Sequence, residues 1–523
     1  MTKTLSRFRD SLDIYSALFG VFAVGLLVPA IMLFTAVLRF PSALTAVFGI
    51  VCGIVLFIVG VPLVPAEWTD VIRTKPVLIR IGWGLVIVVV VVMLARLALF
   101  IDDPYKVHDS LDPNNTFMVE HTHMSGYISG VWVAEHDPQN LYNIHRYSSP
   151  NADSILPSIV PMQRDVYVYP PPFLLLPRIF TLFTSSFVAL RATWYVLYIV
   201  TLLAATLGVA RWVGGRVGAA LAVLTPLIWI SLPTLSTLQV GNIHVMLCYV
   251  GAVTAMVLFY RGRHILGGAA LGFAIVAKVS PGILVLYLLI QRRWRPAAWT
   301  AGWCVIYSVL SYAIFGWGPW RSFLSDGTWK NIASGKFFDF VLDVKTNQLI
   351  NYAPFGIPYK LGQMGWHFSN PHSAGLLIAN IYTVLVLALV VAVALRLYRR
   401  ARVEPDSPLF RAENLAVWLG ILTLASFREP FGPWLYIAVG AIWLFAVYSA
   451  GMLNPTRINI AVVAIVWAVV ALYLENVYFT LSAQLILYVA VTYMTWRAAS
   501  GTARETAAAE EVSAAAPERT VTT

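Results

Sequence analysis

The chain has 523 residues, of which 59% are hydrophobic and 12% charged, about half the roughly 25% charged residues usual in soluble domains. Apolar runs of about 17–25 residues, each long enough to cross a bilayer, recur from Ala17 to Trp496. A water-soluble globular enzyme is excluded, and the expected class is an all-α polytopic integral membrane protein. The net charge of +11 is spread over short clusters between apolar runs. That pattern excludes a nucleic-acid partner and points to membrane lipids.

In chain order, Lys3, Arg7 and Arg9 precede two spans at 17–39 and 42–64. The first run is followed at once by the second, so it reads as an uncleaved anchor. A basic loop with Arg73, Lys75 and Arg80 leads into a third span at 80–101 and then a long polar segment, 102–170. "YPPPFLLLPRIF" (169–180) reads as part of a re-entrant segment near 169–190. Further spans run from 194–210 through 217–234 and 241–260 to 477–496, for about 11 full spans in all. Beyond Gly501 the tail is rich in Ala, Glu and Thr and reads as disordered.

The stretch 265–291 is the informative one. Arg261 and Arg263 stand before it, Arg292, Arg293 and Arg295 after it, and Lys278-Val-Ser-Pro281 lies at its centre. One crossing would place basic clusters on both faces, against the bias of such residues to the cytoplasmic side. Two half-length helices meeting at Lys278–Pro281 keep both clusters on one side. Proline supplies the break by removing a backbone donor and disfavouring helix before it. With N- and C-termini cytoplasmic, the uncommon polar residues then collect at the outer face: Asp102, Asp103, Glu120, His121 and His123; Gln239, Asn242 and His244; the loop 317–372 with Lys345, Asn347 and Gln348; and Arg428 with Glu429.

One-sided polarity with long outer loops fits an enzyme acting on lipid-borne substrates better than a transporter, which would gather polar groups at the midplane. Transfer from a polyprenyl phosphate suits a single basic anchor. Lys278 pairs with the phosphate and steadies the leaving-group charge. A carboxylate of the first outer segment, Glu120 or else Asp103 or Asp102, takes the proton of the attacking hydroxyl. The alternative roles are plainer: a lysine snorkelling or paired with a structural carboxylate, a solvated Glu120, an Arg428–Glu429 surface ion pair, and a hydrogen-bonded helix start at Asn242 and His244. His121 and His123 alone make no metal site, and no metal or other cofactor is expected. Cys52, Cys248 and Cys304 lie in apolar runs and form no disulfide framework.

Four elements occur in order: "YVYPPPFLLLP" (167–177), "QVGNIHVML" (239–247), "LGGAALGFAIVAKVSPGILVL" (266–286) and "KTNQLI" (345–350). Together they resemble glycosyltransferase family 87, polyprenyl-phosphate-mannose-dependent mannosyltransferases of the GT-C superfamily, over residues 80–450. The resemblance implies a GT-C fold and inverting transfer of a sugar, typically mannose, from polyprenyl phosphate to a lipid or lipoglycan acceptor outside the plasma membrane. It places substrate contacts on Tyr169, Asn242, Gln239, Asn347 and Gln348 and the phosphate on Lys278; His244 is added from its position beside Asn242. It implies a catalytic region at 79–450, preceded by two extra helices in 1–78 and followed by C-terminal helices at 451–499 and a cytoplasmic tail at 500–523. The chain departs from the family twice. Counting back from Tyr142, the nearest carboxylate is Glu120 rather than an aspartate, and "LASFREPFGPW" replaces a late histidine-bearing element. These departures support, as alternatives, a non-catalytic envelope-assembly partner of the same fold; a lipid-linked-sugar flippase is the other class.

Overall fold

The computed structural model describes residues 2–38, 40–102, 123–147, 155, 165–325, 327–452 and 467–501. Among them every regular element is helical, apart from one isolated antiparallel bridge between Asn351 and Pro433. Nine described helices are long and apolar enough to cross a membrane. A tenth span results if the bent pair Gly215–Trp229 and Leu232–Val240 crosses as one. The chain is a multi-pass membrane protein.

This count is below the expected 11, for two reasons. The run expected as a span at 241–260 begins with a turn: Gly241 adopts a left-handed backbone (φ 68°), and the Asn242 side chain accepts from the His244 N–H at 2.7 Å. What remains, Val245–Tyr260, is a shorter helix. The first half of the expected span at 458–475 falls outside the described residues.

The helices that build the bundle are α1 (Ile14–Val37), α2 (Ser42–Gly60), α3 (Pro76–Asp102), α4 (His123–His136), α5 (Phe187–Val213), α6 (Leu232–Val240), α7 (Val245–Tyr260), α8 (His264–Ala277), α9 (Ile283–Ile290), α10 (Trp294–Phe315), α11 (Pro371–Arg400), α12 (Pro408–Ser426), α13 (Trp434–Met452) and α14 (Val477–Ser500). Their ends meet at two faces. At one, Arg73 pairs with Asp13 at 2.9 Å, Trp212 packs on Tyr260, and Arg411 donates to the Trp212 carbonyl. There Arg400 also binds Glu404 and Glu413, at 2.9 and 2.6 Å, and the Ala498 carbonyl. We call this the basic end. At the other face, Arg96 of α3 reaches Gln239 of α6, Ser426 of α12 meets His244, and Gln484 of α14 meets Tyr352.

The broken stretch folds as a hairpin. Gly268 of α8 faces Trp299 of α10 and Gly272 faces Trp303, so α8 and α10 run the same way and α9 between them must return. A Cβ on Gly268 would lie 2.8 Å from the Trp299 backbone carbon, and one on Gly272 3.1 Å from the Thr300 oxygen. Small residues spaced by four permit that approach between apolar helices. Both basic clusters therefore reach the same end, where the Arg293 guanidinium sits 4.4 Å over the Tyr260 ring. The break falls at Lys278, whose backbone is extended (φ −151°, ψ 112°), and a single 3-10 turn at Ser280–Gly282 carries Pro281.

The stretch after Tyr169 does not cross. Pro171–Leu174 is a 3-10 turn and Leu175–Thr181 a seven-residue helix, with Phe180 packed on Trp194 near the start of α5. Because α5 already begins at Phe187, the non-crossing piece is shorter than the 169–190 expected from sequence. Residues 318–363 form a series of short helices, among them Lys345–Ile350 and Ile357–Gln363.

Candidate functional site

The hairpin tip delivers Lys278 into a cluster of polar and aromatic side chains at the end opposite the basic one. Its ammonium lies 3.0 Å from Glu429 Oε2, with the Tyr169 and Tyr436 rings 5.7 and 5.2 Å away. The lysine side chain is 13% exposed and Glu429 21%, while its neighbour Val279 is 70% exposed. The cation is thus enclosed but one residue from the surface.

Glu429 comes from the loop joining α12 to α13. Its Oε1 accepts from Ser280 Oγ at 3.4 Å and lies 3.6 Å from His244 Nδ1. Burial pushes its carboxyl above the ordinary range, against the lowering pull of Lys278 and Ser280. Asn351 fixes this loop. It is fully buried, donates from Nδ2 to the Pro430 carbonyl at 3.0 Å, and accepts on Oδ1 from Gly432 N–H and Ala353 N–H, both at 3.0 Å.

His244 is fully buried under the same loop. The Ser426 hydroxyl donates to the Leu422 carbonyl at 2.9 Å, so it accepts from His244 Nε2 at 3.0 Å. This chain assigns the ring proton to Nε2 and leaves the Nδ1 lone pair facing Glu429. Tyr169 completes the wall: its carbonyl accepts from Tyr142 OH at 2.7 Å, and its hydroxyl sits 3.2 Å from that of Tyr127. The Tyr127 hydroxyl in turn accepts from Ile243 N–H at 3.0 Å. Burial, then the neighbouring Tyr127 and Tyr436 and finally Asp165, keep the Tyr169 phenol neutral, far above its ordinary range. The three prolines after Tyr169 fix φ, which holds this entrance rigid.

Of the residues singled out by sequence, Lys278, Tyr169 and His244 come together here. Asn242 is adjacent as the cap of His244. Gln239 faces elsewhere: its Oε1 accepts from Arg96 at 3.1 Å and its carbonyl from Arg191 at 2.6 Å. Asn347 and Gln348 are spent inside their own loop, donating to the Val341 and Leu342 carbonyls at 3.1 and 2.7 Å. One turn further on, Asn351 carries that loop's link to the site. Asp102 ends α3, but its side chain, together with Asp103, Glu120 and His121, lies outside the described residues. Arg428 and Glu429 do not pair as the surface-pair alternative supposed. Adjacent residues diverge here, and Arg428 turns to Thr383 Oγ1 and Asn380 Oδ1 of α11 at 2.7 and 3.1 Å.

Sequence reasoning missed three participants: Glu429 as the partner of Lys278, Tyr436, and Asp165. The Asp165 carboxylate pairs with His123 at 2.6 Å, and the His123 ring lies 6.4 Å from that of Tyr436. The usable signal for Asp165 was its place four residues before Tyr169, just ahead of the proline turn. Among the described residues no three His, Cys, Asp or Glu side chains group as metal ligands.

The cluster sets one ammonium, Lys278, between two aromatic rings and against one carboxylate, Glu429, with a second carboxylate, Asp165, held by His123 beyond Tyr436. No curated protein and no solved structure matches the chain. Residues 167–426, which include Tyr169, His244, Lys278 and Asn351, match the family model described as glycosyltransferase family 87. That stretch is similar to glycosyltransferase family 87 and is where the site residues lie.

Proposed function

We propose that the chain transfers a sugar, mannose in the first instance, from a polyprenyl-phosphate donor to a lipid or lipoglycan acceptor at the outer face of the plasma membrane. The observation that carries this reading is Lys278: an ammonium held by a helix break between two aromatic rings, next to the exposed Val279. A phosphate reaching Lys278 from the bilayer gains a charge-assisted hydrogen bond in a site with little water. The basic end lies opposite, and the inward bias of basic residues supports an outward-facing site.

In the reaction, the acceptor oxygen bonds to the anomeric carbon as the bond from that carbon to the phosphate oxygen breaks. The departing phosphate keeps the electron pair and is held by Lys278, which stabilises the charge as it grows. Inversion requires the base on the face of the sugar opposite the phosphate. Glu429 shares the cation with the phosphate and is on the wrong side. The proton therefore passes to a carboxylate of the segment between α3 and Tyr169: Glu120, Asp103, Asp102 or Asp165. Tyr169 shapes the sugar side, His244 and its cap Asn242 support Glu429 on the phosphate side, and Gln239, Asn347 and Gln348 act through the elements they brace.

A second reading is a non-catalytic envelope-assembly partner of the same fold. Its supporting observation is that Lys278 is already neutralised by Glu429. Reconstituting the purified chain in liposomes with labelled polyprenyl-phosphate mannose and envelope lipids separates the two. Labelled product is expected from the wild type. Binding of the donor with no transfer to any acceptor fraction would support the partner instead.

A further inference from the structure

Lys278 holds an anion before any lipid arrives. Glu429 Oε2 is 3.0 Å from the ammonium, while Oε1 reaches Ser280 Oγ at 3.4 Å and His244 Nδ1 at 3.6 Å. The groups facing this carboxylate are Lys278 and Ser280 from the hairpin break, His244, Cys248 and Tyr249 from α7 and its start, and Tyr436 from α13. Tyr169 stands across Lys278, and the His123–Asp165 pair lies beyond Tyr436. The ammonium in this set is Lys278. A second anion brought to it meets the carboxylate at a few ångströms, where like charges shift one another's protonation by about one pK unit or more.

We propose that Glu429 is an internal counter-ion that the donor's phosphodiester exchanges for itself on Lys278, so that Glu429 sets the affinity of the site and its selectivity for anionic lipids. The inference rests on the phosphate role of Lys278 proposed above. On exchange, a phosphodiester oxygen takes the place of Oε2 and Glu429 takes up one proton from solvent. That proton removes the like charge, and the nearest acceptor for it is His244 Nδ1, 3.6 Å from Oε1 and 3.8 Å from Cys248 Sγ, which a small shift of the carboxyl brings into hydrogen-bond reach. A neutral lipid offers nothing to replace the carboxylate and leaves the pair closed.

Coupling binding to proton uptake makes donor affinity rise as pH falls. The test measures binding of a short-chain polyprenyl-phosphate mannose, a phosphodiester of constant charge over this range, to the full chain in detergent. Wild type, Glu429→Gln and Lys278→Met are compared at about pH 8 and about pH 5.5. Wild type is expected to bind more tightly at the lower pH. Glu429→Gln should bind about tenfold more tightly than wild type at the upper pH, with the pH dependence gone. Lys278→Met should bind weakly at both. Glu429→Gln binding no tighter than wild type at the upper pH overturns the exchange, even where Lys278→Met shows the phosphate role to be sound. Lys278→Met binding like wild type overturns the phosphate role itself. Should Glu429→Gln not fold, the wild-type profile decides alone: a flat profile overturns the exchange.

Discussion

Replacing Lys278 with Met keeps an unbranched side chain one atom shorter and removes its charge. Glu429 then loses a cation at 3.0 Å and keeps only Ser280 at 3.4 Å and His244 at 3.6 Å. At an effective dielectric constant of about 20, the lost attraction is about 5 kcal/mol. The carboxyl escapes that cost by staying protonated, which caps the destabilisation at about 4 kcal/mol at pH 7. The sign follows from proton binding. Burial already raises the folded-state pKa of Glu429, and loss of Lys278 raises it further. The folded protein then binds more protons than the unfolded chain above the ordinary carboxylate pKa, so stability falls as pH rises. Thermal unfolding followed by tryptophan fluorescence should show Lys278→Met close to wild type near pH 5 and well below it near pH 8. Adding Glu429→Gln should restore most of the loss, because a buried pair removed as a unit costs far less than one partner alone. A loss independent of pH, or a double variant no more stable than Lys278→Met, would refute the coupling. In transfer assays the same variant should lose about 10²–10³ in kcat, the cost of removing one donor aimed at a growing charge.

Asn351→Ala removes three hydrogen bonds that fix the Glu429 loop. It should cost about 3 kcal/mol of stability and lower donor affinity at pH 7 in a ligand-induced thermal shift; unchanged affinity in the folded fraction would deny it a positioning role. Gly272→Val sets a branched side chain against the Thr300 oxygen, 3.1 Å from the Cβ position, and should cost about 1–3 kcal/mol or more by prying α8 from α10. Arg400→Ala strips the cation from Glu413, whose side chain is 7% exposed. It should destabilise by about 3–5 kcal/mol while transfer per folded molecule stays at the wild-type level, since Arg400 is at the opposite end of the bundle.

The hairpin was legible because charge clusters and a proline are local signals, and the structure places the break at Lys278 where the charge sits. Two features were not legible. The 241–260 run looked continuous by hydropathy, but a left-handed glycine and an asparagine cap spend its first four residues on a turn. The partner of Lys278 was hidden because 151 positions separate it from Glu429, and pairing across that distance leaves no periodic trace. Arg428 beside Glu429 suggested a local pair, whereas the helix end at Ser426 points the two side chains apart. The match to residues 167–426 spans the elements whose order was readable: the proline turn, the Asn242 turn, the broken lysine hairpin and the loop that ends at Asn351.

The most direct test of the account is the structure of the chain with a polyprenyl-phosphate sugar, or a non-transferable analogue, bound in a lipid disc. The account predicts a phosphate oxygen within hydrogen-bond distance of Lys278 Nζ, between the Tyr169 and Tyr436 rings, with Glu429 moved off the ammonium. A phosphate bound elsewhere, with the 3.0 Å Lys278–Glu429 pair intact, would contradict it.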